Sequence, residues 1–184
     1  DDQVLVAPGE TLDGVVEFSF DGTSWSSDLP MSKNAGEYTV YYRIKGDDNH
    51  LDSVVGSLNV SIGKKNITVT ADDKVICVNS DYELTYGVEG LAYGETLPIE
   101  VTLNTEATVE ATGDYDVTVS GAATTDNYNV TYVKGSLKVR DHAYNNGEVT
   151  GTPSCNAEGE MTYTCSHDST HTYTEPIPKD ENAH

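Results

Sequence analysis

The stretch "TGDYDVTV" at residues 112–119 restates "AGEYTVYY" at 35–42, and this internal repeat constrains the fold more than any other feature of the chain. The correspondence continues downstream, where "DDNHLDSVVGSLNV" (47–60) lies against "TDNYNVTYVKGSLKV" (125–139). Gly36 and Tyr38 map to Gly113 and Tyr115 at an offset of 77, Asn49 to Asn127 at 78, and Gly56-Ser57-Leu58 to Gly135-Ser136-Leu137 at 79. An offset that drifts by single residues at loops while the strands keep phase marks duplicated domains, and a period this long exceeds that of stacked solenoids. The junction reads "SIGKKNITVTA", and Gly63-Lys64-Lys65 is too short for a flexible tether. Three segments are therefore expected: modules at 1–63 and 65–140, and a remainder at 141–184.

Inside each copy the hydrophobic period is two. Tyr38, Val40, Tyr42 and Ile44 fall on one face, and Thr39, Tyr41, Arg43 and Lys45 on the other, the pattern of a strand with one wet side. Tyr115, Val117 and Val119 alternate with Asp116 and Thr118 in the same way. Further strands are predicted around Leu58, Val60 and Ile62, around Ile67, Val69 and Ala71, around Tyr82, Leu84, Tyr86 and Val88, and around Leu137 and Val139. No window carries a helical stripe, so the prediction is an all-β fold of tandem antiparallel β-sandwich modules, with a small β-hairpin segment at the C-terminus. Gly36 and Gly113 each stand before an inward-facing tyrosine, where a turn at positive φ would select glycine.

Charge narrows the partners. The 10 basic and 31 acidic residues give a net charge of −21, which repels phosphate backbones and anionic lipid heads and excludes nucleic acid as a partner. No apolar run is long enough to insert in a membrane, and the opening "DDQVLVAPGE" has no basic or apolar region of a leader, so any export signal or wall anchor is expected outside this stretch.

Residues 65–140, with "KNITVTADDKVICVNSDYELTYGVEGL", "GDYDVTVSGA" and "NYNVTYVKGSLKV", resemble the MBG-type modules, mostly β and glycine-rich, that occur in tandem in surface proteins of Gram-positive and gut bacteria. Upstream, "FSFDGTSWSSDLPMSKNAGEYTVYYRIKGDDNHLDSVVGSLNVSI" is similar to the bacterial Ig-like repeats that precede such modules. The resemblance implies an extracellular or cell-wall-associated spacer whose partners are neighbouring domains of the same parent protein, and it carries no catalytic residues. Cys77 departs from the pattern, standing where a β-branched or aromatic residue is expected, and is read as a small buried hydrophobe.

Residues 141–184 resemble a short repeat found near the ends of Gram-positive surface proteins: a leading His, a Cys, a strand, a Cys-x-x-Cys-Gly turn, a "TYTE" strand and a closing His. His142, Cys155, Cys165 and His184 take those places, but the turn reads "CSHDSTH"; its second Cys is missing and His171 stands as a substitute. A segment this short buries too little apolar surface to fold unaided, so a staple is expected. One form is zinc held by four of His142, Cys155, Cys165, His171 and His184; another is a disulfide between Cys155 and Cys165; a third leaves the thiols free. His167 reads as an exposed turn residue.

The remaining candidates weigh toward structure. Asp47-Asp48-Asn49, Asp72-Asp73 and Asp126-Asn127 could ligate calcium but lack the spacing of a dedicated loop, and solvated turns account for them. Trp25 reads as a strand residue at the edge of its core or as a sugar-stacking platform, and Lys74 as an exposed lysine or an isopeptide donor. No nucleophile, base and orienting acid stand at motif-like spacing, so an enzyme is not expected. The readings left are a monomeric stalk, an adhesive module for a glycan or host surface protein, and a fragment of a surface enzyme.

Overall fold

The computed structural model describes residues 2–11 and 14–181. Among these there is no helix, and the fold is all-β. Fifteen strands follow in chain order: β1 (Gln3–Val4), β2 (Val15–Ser19), β3 (Met31–Ser32), β4 (Gly36–Lys45), β5 (Gly56–Ile62), β6 (Lys65–Ala71), β7 (Lys74–Cys77), β8 (Tyr86–Glu89), β9 (Val101–Thr105), β10 (Gly113–Gly121), β11 (Tyr128–Val133), β12 (Gly135–Arg140), β13 (Glu148–Gly151), β14 (Gly159–Thr164) and β15 (Thr172–Ile177). They form sheets ordered β1-β3, β2-β4-β5, β11-β6-β8, β7-β12-β10-β9 and β13-β14-β15.

Two of these sheets can be compared strand by strand. β2-β4-β5 and β9-β10-β12 share one order, with Tyr38 opposite Val60 and Tyr115 opposite Leu137. Leu137 thus occupies the position of Val60, two residues along from its sequence match Leu58. A slip of two leaves every side chain on its own face, which is why the strand pattern survives it. Tyr38 and Tyr115 are both half-buried, the first donating to the Asn34 carbonyl at 2.6 Å. Gly113 does not need positive φ; it needs space, because an added Cβ would stand 2.7 Å from the Tyr115 hydroxyl.

The chain divides into two compact units, one of residues 1–68, 88–100 and 121–131, the other of 69–87, 101–120 and 132–184. In the first, Phe18, Val40, Ile67 and Tyr128 are the buried apolar side chains. Tyr42, Ile44 and Leu58, expected inward, are 40%, 37% and 48% exposed, while Phe18, opposite Tyr42, and Val40 are buried. The segment matching β11 in the other copy forms no strand between β4 and β5; Ser53 N–H bonds the Ile44 carbonyl at 2.9 Å, while Leu51 and Val54 stand in solvent. Trp25 lies in a loop rather than a strand, and the Arg43 guanidinium sits 4.4 Å over its ring while also gripping Glu17. That contact occupies one face of the indole.

The same unit contains a dense polar joint around Gly63 and Lys64. The Asn127 amide accepts the Ala35 N–H at 2.8 Å and donates to Asn34 at 3.1 Å. Lys33 pairs with Glu95 at 2.8 Å, and Glu95 also accepts the Tyr128 hydroxyl. Lys64 reaches the Thr124 hydroxyl at 2.9 Å and the Thr125 carbonyl.

In the second unit the buried apolar side chains are Val69, Ala71, Val117, Val119, Leu137 and Val139 from alternate positions of β6, β10 and β12, the consecutive Ile76 and Cys77 of β7, and Cys165. β7 pairs with β12 in parallel, Lys74 opposite Leu137 and Cys77 opposite Arg140. The predicted strand at Tyr82–Val88 shrinks to β8, which starts at Tyr86. The C-terminal segment carries a third strand beyond the expected hairpin, yet its sheet is thin: Gly159 and Cys165 are the buried residues among those described from 141 to 181. Tyr144, Tyr163 and Tyr173 stack beside it with ring centroids 4.6 and 4.7 Å apart.

Candidate metal centre

Chemistry-bearing side chains converge at one place, in the second unit. Parallel pairing brings Cys77, the last residue of β7, alongside Arg140, and the Val78 N–H continues the ladder to the Arg140 carbonyl at 2.8 Å. Two residues on stands His142. The chain after it runs antiparallel to the end of β14, through a Tyr144–Cys165 bridge and a Ser166 N–H donation to the Ala143 carbonyl at 2.8 Å. The β14–β15 connection closes on itself, with Cys165 N–H to the His171 carbonyl at 2.9 Å and His171 N–H to the Asp168 carbonyl at 3.1 Å. Cys77, His142, Cys165 and His171 are thereby gathered from three separate stretches of chain.

The Cys77 and Cys165 sulfurs are 3.5 Å apart, and both residues are buried. Cys77, His142 and His171 present donor atoms within 4.8 Å of one another, as do Cys77, Cys165 and His167. The His142 and His171 rings meet edge to face at 5.0 Å. His171 Nε2 faces Ser80 Oγ at 3.5 Å and Asp168 at 3.7 Å, while its Nδ1 is buried with no hydrogen-bond partner. His167 is exposed, its Nδ1 3.2 Å from the Asp141 carbonyl.

The two thiols differ electrostatically. Burial, and the proton shared with Cys165, raise Cys77 to about 11. At Cys165 burial acts the same way but is outweighed by the His167 and Ala143 N–H groups, with help from the His142 ring and Cys77, and the thiol falls to about 6.

Of the residues singled out in the sequence, the structure brings His142, Cys165 and His171 together. Cys155 is half-buried in the β13–β14 loop, at the opposite end of β14 from Cys165. Six strand residues separate them, about 20 Å at the rise of a strand, which leaves no route to the expected disulfide. His184 lies outside the described residues. Cys77 was missed as a site residue: its burial was legible from the strand pattern, its neighbours were not. The signal was present, since the tail's turn lacks a Cys and the chain has a third one elsewhere.

The acidic pairs form turns and ties. Asp47 accepts the Asn49 N–H at 2.8 Å, Asp72 the Thr85 hydroxyl at 2.7 Å, and Asp73 both the N–H and hydroxyl of Ser136 at 2.8 Å. Lys74 is half-buried and donates to the Glu83 carbonyl at 2.8 Å.

Residues 67–138, less than half of the 184-residue chain, match the family model described as MBG domain (YGX type). No curated protein and no solved structure matches the chain. Tyr86-Gly87-Val88 and Tyr93-Gly94-Glu95 are Tyr-Gly-X triplets inside the matched stretch. MBG domains are β-rich domains found in surface proteins, and the matched stretch, most of β6 through most of β12, is consistent with a structural module.

Proposed function

We propose that the chain is a spacer region of a bacterial cell-surface or secreted protein, an extracellular structural element that holds a neighbouring domain of the same parent away from the wall. The observation that carries this reading is the joint at Gly63-Lys64. A linker of two residues between β5 and β6 is overlaid by side-chain ties from Asn127, Glu95 and Lys64 to Asn34, Ala35, Lys33 and Thr124. A tether that only had to connect would need none of them; a spacer that transmits position does. The MBG match agrees with a structural module.

The competing adhesive reading is tested on glycan arrays and on immobilised host matrix proteins with the labelled chain. The spacer reading expects no saturable binding. Saturable binding abolished by Trp25→Ala would replace it with the adhesive one.

A further inference from the structure

We propose that Cys77, His142, Cys165 and His171 bind one zinc-class divalent cation, and that this metal clasps the C-terminal segment onto the end of β7. The proposal goes beyond the spacer reading and stands independently of it.

The donor set has the composition of a closed structural zinc site, two thiolates and two imidazoles. The sulfur pair is already close to its bound spacing. Two sulfurs on one tetrahedral zinc, each at about 2.3 Å, stand about 3.8 Å apart; Cys77 and Cys165 stand at 3.5 Å. A disulfide would need them near 2.05 Å. The histidine donors lie within 4.8 Å of the Cys77 sulfur, a short ring movement from coordination.

The surroundings of His171 supply the second observation. A metal-bound imidazole uses one nitrogen for the ion and offers the other N–H to a carboxylate or hydroxyl that fixes the ring. His171 has Ser80 and Asp168 on the Nε2 side, and on the other a buried Nδ1 with no partner. An orphaned buried nitrogen costs free energy unless something accepts its lone pair. A cation among Cys77, His142 and Cys165 is that acceptor. His167, exposed and set against the Asp141 carbonyl, remains outside the first four donors.

A physical need accompanies the geometry. The segment from 141 to 181 buries one side chain, Cys165, and that side chain lies against Cys77. Its three-stranded sheet has no core of its own, and small sheets of that kind rely on a staple. Metal entry displaces the thiol protons to solvent and converts binding free energy into folding free energy of the tail.

The test uses the whole chain, reduced and stripped with a chelator, then titrated with cobalt(II). The expected result is one equivalent bound, with the visible absorption of tetrahedral cobalt and a near-ultraviolet thiolate-to-cobalt band. Cys155→Ser keeps both; Cys77→Ser and Cys165→Ser lose the thiolate band by half or more. Because a Cys77 variant can fail to fold, the wild-type chain is measured as well. After purification with zinc under reducing conditions it should hold one zinc per chain, with Cys155 open to alkylation and Cys77 and Cys165 protected until chelator is added. Three alkylatable thiols without stoichiometric metal overturn the proposal. So does a Cys77–Cys165 disulfide whose reduction yields no metal uptake, or a cobalt spectrum that depends on Cys155.

Discussion

Leu137 is fully buried, directly opposite Tyr115, and is among the largest fully buried side chains. Leu137→Ala removes buried methylenes and leaves a cavity, and should cost about 2–5 kcal/mol in urea denaturation. Leu51→Ala, at a side chain 96% exposed, should stay within about 0.5 kcal/mol. Asp73 gives a pH signature. The Ser136 hydroxyl and N–H hold its carboxyl below the ordinary value, so its contribution is complete above the unfolded carboxylate range and is lost as acid passes down through the lower folded pKa. Asp73→Asn should flatten that acid limb and leave the neutral-pH limb unchanged in shape, measured as urea midpoint against pH.

At the scale of elements, β10 and its neighbours explain which parts of the architecture were readable. The alternation of Tyr115, Val117 and Val119 is a local signal, and the strand lies where it indicates. The matching alternation in β4 correctly locates a strand but overstates burial, since Tyr42 and Ile44 stay largely exposed and a period-two pattern cannot report what covers it. The role of Gly113 also escaped local reading, because the constraint is the Tyr115 ring two residues on rather than the turn. Gly113→Ala would force a Cβ within 2.8 Å of three atoms of that ring and should cost about 1–3 kcal/mol by thermal or chemical denaturation. The candidate metal centre divides the same way. His142, Cys165 and His171 were legible because one short segment of chain holds them. Cys77 was not, because it joins them through a parallel β7–β12 pairing with its partner strand about sixty residues downstream, and no short-range pattern encodes that pairing.

For the molecule as a whole, the charge of −21 and the MBG match over residues 67–138 describe an acidic all-β chain, and the spacer role proposed above is tested at this scale. The proposed spacer role rests on the ties around Gly63-Lys64, which depend on a few named hydrogen bonds. The central one is the Ala35 N–H on the Asn127 carboxamide, at 2.8 Å across 92 residues of sequence. A loop amide with no such partner exchanges with solvent almost freely. The most direct measurement is native-state hydrogen exchange at Ala35 in the wild type and in Asn127→Ala. The joint predicts a protected Ala35 amide whose exchange accelerates about fivefold or more in the variant, consistent with a hydrogen bond worth about 1 kcal/mol, while Val40 in β4 keeps its rate. An Ala35 amide that exchanges at the free-loop rate in the wild type, or that ignores the loss of Asn127, would contradict the spacer account.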